Sequence, residues 1–358
     1  MKIEVSAPGK RVLIGEYGVL FGAPALVMAV DRRARVELTP AEGDRWTLTA
    51  PEVAPRPVQL EVSPKGDVRW CDEILAARYF DLVDRLFSEL SGNDVVKLGS
   101  LMPMSATLDT TAFFRSRHGV RQKLGIGSSA ALTVALSSAL VAWSAAGGVP
   151  GEGRQWLQTL IELHRVVQGG LGSGVDIAAS VLGGVIEYRL GDDGSVAHAG
   201  SVGLPGDLGF LCIWTGRSAS TGSFLERLED RRSGDRQAVE RAIRDIVDIS
   251  QTGVDAIKDL SSSGFLDAVD RFWDALEGLG RVIEMPIASE EHQRLRQIAC
   301  DIGVRYKPSG AGGGDFGLAF DTDPGRLASM ATRAESGGFE IVGVGLDPVG
   351  VACDVVEI

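Results

Sequence analysis

With 358 residues the chain is too long for one small core, and two domains are expected. Hydrophobic residues make up 44% of it, as in a soluble globular protein, and 48 acidic against 36 basic side chains leave a net charge of −12. That balance excludes a general basic surface for nucleic acid or anionic membrane, so an anionic small substrate needs a locally basic pocket. Cys71, Cys212, Cys300 and Cys353 are scattered without CxxC pairing, which fits reduced thiols in a cytoplasmic protein better than a disulfide frame or a zinc site. The start MKIEVSAPGK has no apolar signal core and no apolar run reaches about 18 residues, so neither secretion nor membrane spanning is expected.

Lys2 to Val5 alternates as a strand, Ala7-Pro8-Gly9 predicts a turn, and Lys10 to Gly15 resumes as a second short apolar strand. Lys10 and Glu16 then stand at the two ends of one β segment. Strand-like runs continue over 17–38 around the Gly22-Ala23-Pro24 turn, and Asp31-Arg32-Arg33 reads as a surface charge cluster. Between 40 and 70 the runs TLTA, VQLEV and DVRW, broken by prolines, suggest exposed hairpins of an insertion. Ile74 to Leu90 has apolar residues at helical spacing and reads as one amphipathic helix. Segment 91–122 is polar and irregular, a long loop of the kind that forms lids and binding edges.

Next comes Lys123-Leu124-Gly125-Ile126-Gly127-Ser128-Ser129-Ala130-Ala131-Leu132, a glycine-broken turn that runs straight into a helix reaching about Ala146. Gly125 and Gly127 let backbone pass close to a phosphate. Ser128 and Ser129 offer hydroxyls and N-cap chemistry, and the first-turn amides point at whatever sits there. An ordinary helix start has the same residues, and no Gly-Lys-Ser/Thr follows, so this is not a Walker A loop. The helix ALTVALSSALVAW is apolar nearly all round and should be buried. A further helix over about 152–168 leads into Gln168-Gly169-Gly170-Leu171-Gly172-Ser173-Gly174-Val175-Asp176, which again precedes a helix of small residues. Asp176 lies at or just inside that helix start, where the dipole and free amides favour its charged form; a simple cap is the alternative.

VIEYRL (185–190) is a strand, and the turn at 191–194 approaches a domain boundary. FLCIWTG (210–216) is another, ending in the hydroxyl-rich Arg217-Ser218-Ala219-Ser220-Thr221. Two or three amphipathic helices fill 236–280, and one more spans about 289–301. The third glycine-rich loop, Lys307-Pro308-Ser309-Gly310-Ala311-Gly312-Gly313-Gly314-Asp315, holds more small residues than a turn requires. A strand over 316–320, a helix near 324–336 and strands around 339–344 and 350–357 follow. This alternation suggests an α+β sandwich of antiparallel sheet and helices over 207–358. Asp315-Phe316-Gly317 spells the DFG of protein kinases, but without an HRD loop or a VAIK strand the match carries no weight.

PGKRVLIGEYGVLFG (8–22), KLGIGSSAAL (123–132) and KPSGAGGGDFGLA (307–319) resemble, in order and content, the three signature motifs of the GHMP small-molecule kinases. Gly15-Glu16-Tyr17, the segment 170–176, the turn from Trp214 to Thr221 and KPSGAGGGD are most similar to the phosphomevalonate kinase branch. The resemblance runs from residue 3 to about 320. It implies an α+β, two-domain GHMP kinase fold. An N-terminal ribosomal protein S5 domain 2-like domain would span 1–200, a ferredoxin-like C-terminal domain 201–358, and the active site would lie in the cleft between them.

The same resemblance implies ATP as phosphoryl donor, held by Gly125, Ile126, Gly127, Ser128, Ser129 and Ala130, with Mg2+ on the Ser129 hydroxyl. Lys10 and Asp176 are the implied catalytic pair, the lysine stabilising the transferred phosphoryl and the aspartate orienting the acceptor. Implied substrate neighbours are Glu16, Tyr17, Lys123, Ser173, Gly174, Ser220, Ser309, Gly310, Ala311 and Gly312. Where mevalonate kinases supply a second metal ligand, a glutamate, this chain has His164 with Glu162 nearby, and that ligand stays open. The implied reaction moves the γ-phosphoryl of ATP to the phosphate of 5-phosphomevalonate. A kinase of mevalonate or another small alcohol, and a non-catalytic binding protein, are the alternatives. Expected partners are ATP and a small anionic substrate, with no nucleic acid and no membrane, for a monomer or homodimer in the cytoplasm.

Overall fold

The computed structural model describes residues 1–93, 95–117, 120–144, 153–170, 172–216, 222–310 and 312–356. The chain forms two compact units, one from Met1–Lys10, Ala29–Gly183 and Asp347–Ile358, the other from Arg11–Met28 and Gly184–Leu346. The sequence suggests a single cut near residue 200; the units interleave instead, because the first two strands each pass from one unit into the other. The architecture is α+β.

In the first unit β1 (Lys2–Ile14) runs unbroken through Ala7-Pro8-Gly9, where the sequence predicts a turn. Gly9 serves a close approach: a Cβ there would stand 2.5 Å from the Ile126 carbonyl oxygen and 2.8 Å from the Phe113 ring. β2 (Ala25–Pro40) carries Arg33, which is no surface charge. Its guanidinium bonds Ser6 Oγ at 3.0 Å, the Val349 and Gly350 carbonyls at 3.0 and 2.6 Å, and Asp347 at 2.6 Å. This ties the C-terminal segment to β1.

β3 (Trp46–Thr49), β4 (Val58–Val62) and β5 (Val68–Trp70) are members of the main sheet and not an exposed insertion, with Trp46, Leu48, Val58 and Leu60 buried. The expected single helix breaks at buried Phe80 into α1 (Glu73–Tyr79) and α2 (Asp81–Gly92), which brings the Phe80 ring 5.7 Å from Trp70. Segment 91–122 is not an irregular loop either. It contains β6 (Met104–Asp109) and the hairpin of β7 (Phe114–Arg117) with β8 (Val120–Lys123). β6 buries Met104, Ala106 and Leu108 at period two and sits inside the sheet, whose order is β2-β6-β3-β4-β5.

α3 (Ser128–Ser144) is buried on nearly every side, as its composition predicts. α4 (Arg154–Val167) packs a stripe of Leu157, Leu160, Ile161 and His164. α5 (Val175–Leu182) is entered through Gly174 at φ 80°, where a Cβ would lie 2.7 Å from Ile161.

The second unit holds β9 (Val185–Leu190) paired with β10 (Val196–Ser201), and β9 also pairs with the first residues of β2. β11 (Gly209–Trp214) is followed by α6 (Gly222–Gly234), α7 (Arg236–Lys258), α8 (Ser262–Val282) and α9 (Glu290–Cys300). β12 (Arg305–Ser309), β13 (Phe316–Asp321), α10 (Pro324–Ser336) and β14 (Glu340–Ile341) complete it, with antiparallel order β12-β13-β11-β14. Asp235, Ser261, Ser289 and Asp323 cap α7 to α10 by accepting first-turn amides. Ile213, Trp273, Leu295, Tyr306, Ala319 and Met330 form the core between sheet and helices. The last strand, β15 (Ala352–Val356), belongs to the first unit and pairs with β1 from Lys2↔Val356 to Ser6↔Ala352. Among the described residues no helix is long and apolar enough to cross a membrane.

Candidate functional site

In the first unit the Lys10 amide donates to the Ile126 carbonyl at 2.9 Å, which lays β1 beside the glycine loop. Gly127 sits at φ 85°, and a Cβ on it would be 3.1 Å from Lys10 Cγ and 3.7 Å from Cε. The lysine stem therefore lies along the glycine, and a side chain there would press on it as well as strain a positive φ. Leu124 and Ile126 are buried and pin the loop, and the Leu124 amide bonds Phe113 at 2.9 Å. The Ala131 amide bonds the Gly127 carbonyl at 3.0 Å and opens α3. Ser128, Ser129 and Ala130 thus occupy the first turn, whose amides have no partner within the helix.

His164 and Asp176 complete this group. Ser129 Oγ and His164 Nε2 share a hydrogen bond of 3.2 Å. Burial drives the His164 pKa below its ordinary value; Asp176 opposes that and Lys10 adds to it, so the ring is neutral at pH 7. For Asp176 burial acts upward, but His164, Lys10 and the amides of Asp176 and Ile177 outweigh it, and the carboxyl titrates below the usual range. With His164 neutral, Lys10 and the amides are what keep Asp176 charged near pH 7. Glu162 is exposed and takes a hydrogen bond from Gln158 at 2.8 Å, so of the two candidates it is His164 that faces Ser129. Ser173 caps the turn before α5, Gly174 opens that helix, and Lys123 is exposed at the end of β8.

The second unit assembles the ends of the first and third motifs. Lys307 is wholly buried and ion-paired with Glu16, whose side chain is 3% exposed. Burial lowers the Lys307 pKa; Glu16 opposes that and Arg11 reinforces it. Glu16, expected beside the acceptor, is therefore committed inside the unit. Ser309 is likewise buried and donates its hydroxyl to the Val12 carbonyl at 2.9 Å. Tyr17 stacks on Phe224 with centroids 3.8 Å apart, and burial followed by the Glu16 charge raises its phenol pKa.

Beyond Ser309 the loop is tied down at several points. The Gly310 amide approaches Glu16 Oε1 at 3.4 Å, and the Gly313 amide bonds Ile287 at 2.7 Å. Gly312 tolerates no side chain, since a Cβ would lie 2.5 Å from the Ile287 carbonyl oxygen. Thr215 donates both its amide and its hydroxyl to the Asp315 carbonyl at 2.9 Å. Ser220 and Ala311 lie outside the described residues.

Two residues of this cluster were not singled out from sequence. His292 Nε2 bonds the Gly314 carbonyl at 3.1 Å, and its Nδ1 meets the Tyr306 hydroxyl at 2.8 Å. Burial lowers its pKa to about 4. The signal was its spacing with Leu295 and Ala299 on the buried face of α9. Arg11 lies 3.6 Å over the Phe316 ring, and burial lowers its pKa to about 10. Only its neighbourhood to Lys10 could have drawn attention to it.

Residues 85–184 match the model of the GHMP kinases N terminal domain. The phosphomevalonate kinase of a Streptomyces species is 29% identical over 93% of this chain and 94% of its own length. That of Saccharolobus solfataricus is 25% identical over 91% and 92%, and the mevalonate kinase of Bos taurus 27% over 94% and 91%. The solved Streptococcus pneumoniae phosphomevalonate kinase, in complex with phosphomevalonate and AMPPNP, has the same fold. Its TM-score is 0.74 at 20% identity, covering 96% of this chain and 99% of that one. A Lin0012 protein from Listeria innocua gives 0.81 at 22%, covering 99% of both. The domain model, relatives aligned along nearly the whole chain and the shared fold agree with the motifs: residues 85–184 carry a GHMP kinases N terminal domain, and the chain has the GHMP kinase fold.

Proposed function

We propose that this chain transfers the γ-phosphoryl of ATP to the phosphate of 5-phosphomevalonate, giving ADP and 5-diphosphomevalonate. The observation that carries the reading is the Lys10 stem lying along Gly127 at the start of α3, with Asp176 in electrostatic reach. The acceptor is suggested by likeness to the Streptomyces enzyme over nearly its full length and by Tyr17 after Gly15-Glu16.

Phosphoryl transfer asks a protein for positioning and charge neutralisation more than for covalent chemistry. The first-turn amides of α3 cradle the triphosphate, and the Lys10 ammonium offsets charge on the transferring group. An oxygen of the acceptor phosphate forms the new bond to the γ-phosphorus while the bond to the β-bridging oxygen breaks and ADP leaves. A phosphate monoester is largely dianionic at pH 7, so no strong base is needed. The depressed pKa of Asp176 agrees with this, since such a carboxylate is a poor base and a good positioning group.

Magnesium arriving with the nucleotide fits Ser129, a hard oxygen donor backed by His164. Among the described residues no three His, Cys, Asp or Glu side chains form a ready cage, so Ser129 is the side chain that would hold the ion. When bound it supplies charge neutralisation on the β- and γ-oxygens.

Mevalonate is the second reading, favoured by the full-length likeness to mevalonate kinases. Coupled measurement of ADP release with each acceptor decides between them. We expect kcat/KM for 5-phosphomevalonate to exceed that for mevalonate by about 10⁴-fold, the scale on which a site built for a polar group rejects a substrate lacking it. The opposite ranking would transfer the assignment to mevalonate.

A further inference from the structure

Lys307 and Ser309 are two residues apart on β12 and both are buried against residues of the first motif, Lys307 on Glu16 and Ser309 on the Val12 carbonyl. An ion pair out of reach of water is costly to form and is a weak source of stability. Here the carboxylate does more than balance the lysine. Its Oε1 also faces the Gly310 amide, the first residue of the glycine loop, at 3.4 Å, while Oε2 is buried with no hydrogen-bond partner among the described residues. Gly310 sits at φ 102°, which glycine adopts without strain and can leave as freely, so the local sequence does not fix it there. Among the described residues the loop is also held by the Ile287 carbonyl on Gly313, His292 on Gly314 and Thr215 on Asp315. None of them reaches Gly310.

We infer that Glu16 is a positioning residue for the third glycine loop. Its carboxylate sets the conformation in which Gly310, Gly312, Gly313 and Gly314 meet an anionic acceptor, and Lys307 cancels the negative charge that would otherwise stand beside that anion. This rests on the kinase reading above.

Two double variants separate positioning from stability. Glu16→Leu with Lys307→Met removes both charges and the acceptor facing Gly310. Glu16→Gln with Lys307→Met removes both charges and keeps an acceptor oxygen. We expect both to melt close to the parent chain, because replacing a buried pair whole avoids a lone buried charge. Hydrogen exchange at residues 310–314, measured without ligands, should be at least about tenfold faster in the Leu/Met chain and within about threefold of the parent in the Gln/Met chain. KM for 5-phosphomevalonate should rise about tenfold in the Leu/Met chain alone, with KM for ATP within about twofold. Equal exchange in the two doubles, or losses that simply follow melting temperature, overturns the proposal. If the parent chain turns over neither acceptor, the kinase reading fails while the exchange comparison still decides the role of Glu16. Should the Leu/Met chain not fold, Glu16→Asp draws the carboxylate back by one methylene; faster exchange at Gly310 is then expected, and unchanged exchange refutes the assignment.

Discussion

Acidification should loosen the second unit through His292. Its ring is buried, donates from Nε2 to the Gly314 carbonyl and accepts the Tyr306 hydroxyl at Nδ1. Protonation removes that acceptor and places a second positive charge near Lys307. The folded pKa is about 4, lowered first by burial, against about 6.5 for a free histidine. The unfolded chain therefore binds the proton first, so stability contributed by the neutral ring is intact above about pH 6.5 and lost as pH falls to about 4. A difference of about 2.5 pH units corresponds to about 3 kcal/mol, or about 1.4 kcal/mol per unit within that window. Urea unfolding from pH 7.5 to 4 would measure it in the parent and in His292→Gln, whose amide can replace both hydrogen bonds. Other titrating groups, His164 included, act equally in both chains and cancel in the comparison. The variant should lose less stability on acidification by about 2–3 kcal/mol. Parallel pH profiles would refute this account of His292.

The remaining predictions concern the glycine loop, the implied catalytic pair and the tie between termini. Lys10→Met should lower kcat by at least about 1000-fold with little change in melting temperature. Asp176→Asn should cost less, about 10- to 100-fold, because a phosphate acceptor needs no strong base; steady-state kinetics reads both. Gly127→Ala puts a methyl against the Lys10 stem at a positive φ and should destabilise the chain by about 1–3 kcal/mol while raising KM for ATP, seen in melting and nucleotide titration. Arg33→Ala strands Asp347 and frees the segment that leads to β15, so denaturant unfolding should show a loss of about 3–5 kcal/mol.

Much of the candidate site was legible in the sequence because glycine-rich turns and helix starts are local features. The loop before α3, the entry to α5 at Gly174 and the helix α10 are specified by residues within a few positions of themselves. What the sequence misjudged were segments whose fate depends on distant partners. Residues 46–70 and 104–109 carry modest alternation among polar flanks and become sheet strands only because β6 pairs with both β2 and β3. Ala7-Pro8-Gly9 has the composition of a turn, yet the glycine is there to admit the Ile126 carbonyl.

The sequence by itself determined the glycine-rich turns into α3 and α5, the starts of those two helices and which three motifs the chain carries, since backbone propensity and capping act over a few residues. Only the tertiary structure decided what the charged side chains face. Lys307 meets Glu16, Arg33 holds the C-terminal segment and His164 meets Ser129. A charge far from its partner in sequence reads as a surface group until folding brings the two together, and whether burial leaves it paired or stranded is settled at that moment.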